Sequence, residues 1–149
     1  MAVLNYTTQI TVAKTIGEVQ GMLMEHGADR IMLEYSDKQP VGITFQIDTD
    51  TGPALYSLPV DVAAMHQLLV RQSRQGRLKG ISRTAAESME QAARVAWRVI
   101  KDWLEAQLAL IETRMVALDQ VMLPYLRVGE LTIYEQYRAQ RALTAGGEA

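Results

Sequence analysis

The chain contains no cysteine among its 149 residues. That absence excludes disulfides, thiol catalysis and thiolate metal sites together, and it leaves the redox compartment open. Aromatic residues are scarce: one phenylalanine, two tryptophans and six tyrosines. A broad platform for stacking bases is therefore not expected. Long apolar runs are also missing. The longest uncharged stretch, residues 1–13, carries Asn5, Thr7, Thr8, Gln9 and Thr11 and has no basic start. Neither a signal peptide nor a membrane span is expected, so the expected location is cytoplasmic. What is present is ordinary for a globular protein: 48% hydrophobic and 21% charged residues, with a formal charge of −2. The length suits one domain with a single self-sufficient core.

Patterning points to an α+β fold: a small antiparallel sheet of about four strands with one N-terminal helix, then two or three helices including a long one. Residues 4–59 form the expected sheet unit. Residues 6–12 alternate as a first strand would, and Thr15 stands three residues before Glu18 at the spacing of a helix capping box. Gly27 suits the left-handed residue that ends such a helix. Ile31, Leu33 and Tyr35 alternate with Met32 and Glu34, and Val41, Ile43, Phe45 and Ile47 alternate with Gly42, Thr44, Gln46 and Asp48, with residues 37–40 as a hairpin loop. A further turn at 48–53 leads into 54–58. A helix over 60–72 follows, then a basic linker over 71–84 punctuated by Ser73, Gly76 and Gly80. The helical region spans 85–143. Its stretch 85–122 has neither glycine nor proline, and about 36 helical residues would reach about 54 Å, so a break near 114–118, with Asp119 capping a second piece, is expected. Pro124 then bends the chain, residues 131–143 form a last short amphipathic helix, and 144–149 are a polar tail.

The balance of −2 hides a split. Arg71, Arg74, Arg77, Lys79, Arg83, Arg94, Arg98 and Lys101 face only Glu87 and Glu90 within residues 71–101, a local +6 that leaves −8 for the rest. Such asymmetry suits an anionic partner, and it also suits a solvated helix face. On the long helix, Arg94, Arg98 and Lys101 share one sector with Glu105, and Trp97 flanks it. Guanidinium forks one turn apart beside an indole would hold a phosphorylated nucleotide, with Tyr56 as a second stacking candidate and Arg71 to Arg83 as a closing loop. The same residues also read as internal pairing of Glu105 with Arg98 or Lys101 and core packing of Trp97.

The opposite side of that helix, including Val95, Val99, Trp103, Leu104, Leu110 and Ile111, is wider than one sheet face requires. A second copy of the chain is the economical cover, giving a homo-oligomer. Trp103, Gln107, Leu110 and Arg114 are the expected interface residues, with Gln107 and Arg114 as a polar pair fixing register.

Catalytic motifs are wanting. Asp48, Asp50 and Gly52 begin like a calcium loop but lack the third oxygen ligand, and Pro59 occupies the closing position, so coordination is incomplete. Asp50-Thr51-Gly52 also matches an aspartic-protease triplet, which would need a partner subunit; a hairpin turn explains it more simply. His26 and His66 stand at no metal spacing, and no metal or cofactor is expected. His66 near Arg71 would make a phosphodiesterase-like pair, though a partly buried histidine serves equally. No Walker loop, nucleophile elbow or dinucleotide fingerprint occurs. A binding protein is expected rather than an enzyme.

Several strings stand out together: TIGEVQ at 15–20, HGADRIMLEY at 26–35, RVAWRVIKDWLEAQLALIE at 94–112, then VMLPYL and LTIYE. With these the chain resembles a group of small proteins encoded in tailed-phage and prophage genomes. The stretch 71–89 lies outside the resemblance, and Arg114 stands where a small residue or glycine is expected. The resemblance implies viral origin and action in the host cytoplasm, and it supplies no catalytic residues. By analogy it implies counter-defence, with a homo-oligomer sequestering a cyclic nucleotide or a cyclic ADP-ribose type of signal. The alternatives are a single-stranded nucleic-acid binding or annealing accessory and a protein-blocking module.

Overall fold

In the computed structural model, which describes residues 1–147, the first regular element is helix α1 (Val12–Glu25). Its N-cap is Thr11, whose side chain accepts from the Lys14 amide at 3.2 Å. The expected strand over 6–12 is absent. Asn5 adopts φ +66° in a turn, and the segment's backbone finds partners in side chains instead. Gln72 accepts from the Val3 amide at 2.9 Å, and Gln91 donates to the Tyr6 and Thr8 carbonyls at 2.8 and 3.0 Å. Thr15 and Glu18 are three apart because they share one face of α1, not because they cap it.

Gly27, at φ +98°, ends α1 and turns the chain into the sheet. Strands β1 (Ala28–Ser36), β2 (Gln39–Thr49) and β3 (Gly52–Pro59) form an antiparallel meander in that order. Asp37 and Lys38 both take positive φ, as a two-residue primed hairpin turn demands. The register sets Leu33 beside Ile43 and Leu58, and Ile31 beside Phe45 and Tyr56. This face packs on Ile16, Val19 and Leu23 of α1. Between β2 and β3, Thr49 accepts from the Thr51 amide and donates to the Gly52 carbonyl, so the Asp-Thr-Asp-Thr-Gly string is a hairpin turn.

Helix α2 (Val62–Arg74) starts at Asp61, whose carboxylate accepts from the Ala64 amide at 2.9 Å. A loop with positive-φ glycines at 76 and 80 leads to the single turn α3 (Arg83–Ala86) and then to α4 (Met89–Glu112). At 24 residues α4 is about 36 Å long. It touches α1, α2, α3 and α5, so most of its wide apolar surface is used within the chain: Val95 and Ala92 cluster with Leu69, while Trp97, Leu104 and Leu108 join the main core. The expected break falls at 113–117. Helix α5 (Leu118–Met122) follows, with Ala117 rather than Asp119 at the cap position, and then a 3-10 turn (Leu123–Tyr125) containing Pro124.

The C-terminal part adds a two-residue hairpin, β4 (Arg127–Val128) and β5 (Leu131–Thr132), which runs directly into α6 (Ile133–Gly147). A bridge between Tyr56 and Leu126 fastens it to the β3 edge. The strands therefore number three plus two instead of about four in one sheet. Part of the expected polar tail, up to Gly147, is helical, and residues 148–149 lie outside the described residues.

Arg114 holds φ +64° directly after α4, with its amide donating to the Ile111 carbonyl at 3.0 Å. That is the left-handed helix-terminating position glycine occupies without Cβ strain. Arg114→Gly should therefore raise stability by about 0.5–1 kcal/mol in urea unfolding, net of the greater chain entropy of glycine. A loss of stability would mean the Arg114 side chain contributes more than its backbone strain costs.

Candidate functional site

The basic sector of α4 exists as a sector, but its charges point inward to neighbours. Arg94 donates from Nε and Nη2 to the Gln91 side-chain oxygen at 2.9 and 2.7 Å. Arg98 pairs with Glu18 and donates to Thr15 at 3.3 Å, both on α1, and its side chain is only 12% exposed. The Arg98 Nε is buried without a partner. Lys101 pairs with Glu105 at 2.5 Å and lies 3.8 Å from Asp102. The two stacking candidates are interior. Trp97 is fully buried and donates from Nε1 to the Pro40 carbonyl at 3.2 Å. Tyr56 is 1% exposed and stacks on Phe45 with ring centroids 5.5 Å apart. Arg94, Arg98 and Lys101 thus tie down Gln91, α1 and α4, and neither ring offers a face to a base. Helical periodicity located their common face, but only the fold reveals that α1 covers it.

What the structure does bring together is the C-terminal half of α2, the 75–82 loop and α3. A depression of about 530 Å³ is lined by His66, Gln67, Val70, Arg71, Arg74 and Gln75. Beside it, Glu87 pairs with Arg83 at 2.7 Å and with Arg74 at 3.5 Å. The hydrogen bond from Arg83, with help from Ser73, holds the Glu87 carboxyl below its usual range. His66 Nε2 lies 2.7 Å from the Glu87 carbonyl oxygen, which places a ring N–H there. Among the described residues Arg71, Arg77 and Lys79 form no ion pair. The loop carrying them is pinned: Tyr6 donates its hydroxyl to the Lys79 carbonyl at 3.0 Å, and the Arg77 amide donates to the Gln72 carbonyl at 3.0 Å. The result is a cationic surface around one carboxylate, able to receive phosphate oxygens through forked guanidinium donors.

A second exposed basic feature was not singled out from the sequence. On α6, Tyr134, Tyr137, Arg138 and Arg141 follow i, i+3, i+4, i+7 spacing and so share one face. Tyr134 and Tyr137 are 54% and 57% exposed. Residues 137–146 are exposed on every side of the helix. The signal in the sequence was the Tyr-x-x-Tyr-Arg-x-x-Arg spacing.

Of the expected interface residues, Trp103, Gln107 and Leu110 share one face of α4 and differ in exposure. Trp103 is half-buried and meets Tyr125 edge-on, centroids 5.6 Å apart. Gln107 is half-buried on α4, and Leu110 is exposed. Arg114 lies past the end of α4, so it cannot pair with Gln107 along one helix face and the register argument built on that pair fails. No helix among the described residues is long and apolar enough to cross a membrane, and no cluster of three or more metal-ligating side chains forms among them. Comparison with protein-family models, with curated proteins and with solved structures found no match.

Burial first, and the charge of Asp119 second, push the Tyr56 hydroxyl above the ordinary tyrosine range. A raised acid group keeps its proton longer when folded. Its contribution to stability is therefore complete below about pH 10, the ordinary tyrosine value, and declines as pH rises from there through the folded value. In an ultraviolet alkaline titration of the six tyrosines, Tyr56 should ionise last and together with unfolding. Its ionisation alongside the exposed tyrosines, with the fold intact, would contradict this burial.

Proposed function

We propose that the protein binds a phosphorylated nucleotide without converting it, seating the phosphates at the α2–α3 surface. One observation carries this reading: Arg71, free of internal ion pairs among the described residues, and Arg74 line a depression of about 530 Å³ that ends at Gln75, and the unpaired Arg77 and Lys79 follow directly in the chain. That volume falls in the usual range for small-ligand sites. Val70 and His66 supply the less polar floor against which a base or ribose packs. The depression is broad, so enclosing a ligand calls for a second surface. Exposed Leu110, Met115 and Leu123 offer apolar area for association with a second copy. The resemblance to tailed-phage and prophage proteins supports sequestration of a nucleotide immune signal in an infected host as the biological setting.

A second reading, binding of single-stranded nucleic acid, is favoured by the α6 face. Two exposed tyrosines interleaved with two arginines combine stacking surface with phosphate neutralisation.

Calorimetry with a panel of cyclic mono- and dinucleotides and cyclic ADP-ribose forms tests the first reading against the second. At least one ligand should bind, be recovered intact by mass spectrometry, and lose about tenfold or more in affinity in the Arg71→Ala/Arg74→Ala variant. No heat with any of them, from folded protein, overturns the nucleotide reading. Length-dependent binding of oligothymidine that weakens steeply with salt, and is lost in Tyr137→Ala/Arg138→Ala, would establish the second.

A further inference from the structure

Two adjoining cavities share no lining residue with the α2 depression described above. One, about 270 Å³, is apolar and lined by Leu58, Pro59, Val99, Ile100, Trp103 and Tyr125. The other, about 350 Å³, shares Leu58, Pro59 and Tyr125 and adds Glu34, Ser57, Arg127 and Glu135 among its polar groups. The three shared residues, at the end of β3 and in the 3-10 turn, join them into a groove: its apolar end lies against α4, and its charged end lies between the solvent side of the sheet and the β4–β5–α6 unit.

The charged end is specific about what remains available. Glu135 is committed: it accepts from the Thr132 amide at 3.0 Å while the Thr132 hydroxyl accepts from the Glu135 amide at 3.2 Å, a capping box at the start of α6. Those bonds hold its carboxyl below the usual range. Arg127, by contrast, forms no ion pair among the described residues, although it adds a favourable field at Glu135. On the sheet, the Thr44 hydroxyl donates to Glu34 Oε1 at 3.1 Å and lies 2.7 Å from the Ser57 hydroxyl. Thr44 has one proton, and Glu34 takes it, so Ser57 must be the donor in the second bond. The Ser57 oxygen then keeps its lone pairs, and the second Glu34 oxygen has no described partner. That oxygen lies over Gly42, where a Cβ would stand 3.4 Å from it and 3.3 Å from the Leu58 carbonyl.

The groove therefore offers one free guanidinium, acceptors suited to an ammonium, and an apolar compartment ending on an aromatic pair. We propose that it binds a free amino acid with a large apolar side chain. Arg127 takes the carboxylate through its forked donors, Glu34 and Ser57 accept from the ammonium, and the side chain enters beside Trp103 and Tyr125. A simple anion would leave Glu34 uncompensated, and a simple amine would leave Arg127 so.

L-phenylalanine is the probe. Trp97 is fully buried, so Trp103 is the tryptophan positioned to report occupancy by fluorescence, and Trp103→Phe should remove the signal while calorimetry still detects binding. Phenethylamine and 3-phenylpropionate, which lack the carboxylate and the ammonium respectively, should each bind about tenfold or more weakly. Arg127→Ala should weaken L-phenylalanine and leave phenethylamine unchanged; Glu34→Gln should weaken L-phenylalanine and leave 3-phenylpropionate unchanged. Arg71→Ala/Arg74→Ala should alter none of these, which separates this site from the nucleotide reading. Absence of binding by L-phenylalanine, L-leucine and L-tryptophan to folded protein overturns the proposal. So does phenethylamine binding equal to that of L-phenylalanine, which would make the groove an amine site.

Discussion

The hydrogen bond from the Trp97 indole to the Pro40 carbonyl joins the middle of α4 to the start of β2. Around that bond the indole is fully buried, and the sheet, α1 and α4 close on one another. An indole N–H cannot be left unpaired in a core without cost, and a proline carbonyl accepts it where the preceding hairpin turn has already fixed the strand. With Trp97 inside, the next positions along α4 are constrained. Arg98 must emerge against α1, and the pairing with Glu18 and Thr15 compensates a guanidinium held largely away from water. The face that would have displayed a nucleotide site is thus occupied by the same packing that orients the helix.

Local chemistry made some parts of the fold legible. Gly27, the Asp37–Lys38 turn, the alternation of β2 and the break after Glu112 all follow from backbone preference or side-chain period within a few residues. The misread strand over 6–12 shows where that legibility ends. Its alternation is real, but no strand of the sheet pairs with it. Two of its backbone carbonyls, at Tyr6 and Thr8, are met by Gln91, 83 to 85 residues away in the chain. Likewise, the spacing of Thr15 and Glu18 fits both a capping box and a shared helix face, and only the position of α4 decides between them. The groove was invisible for the same reason: Glu34, Ser57, Trp103 and Arg127 come from four separate elements.

The charge split also changes meaning once partners are known. Of the eight basic residues between 71 and 101, Arg98 and Lys101 are neutralised by carboxylates on or beside α4, and Arg74 and Arg83 share Glu87. Arg94 spends two of its five N–H donors on Gln91 and keeps its charge. The unpaired cations Arg71, Arg77 and Lys79 therefore concentrate within nine residues at the end of α2 and its following loop. Tyr6 and Gln72 fix the course of that loop, so Arg77 and Lys79 leave the end of α2 along a defined path.

The C-terminal unit makes the opposite use of its charges. Glu135 is tied into the start of α6, which orients that helix and leaves Arg127 facing the cavity with only a distant carboxylate. Beyond its first turn the described residues of α6, 137–146, are all exposed. A helix of 15 residues is marginal in water by itself. Its capping box and the hairpin that precedes it therefore contribute much of its order, and through Arg127 and Tyr134 they also shape the groove.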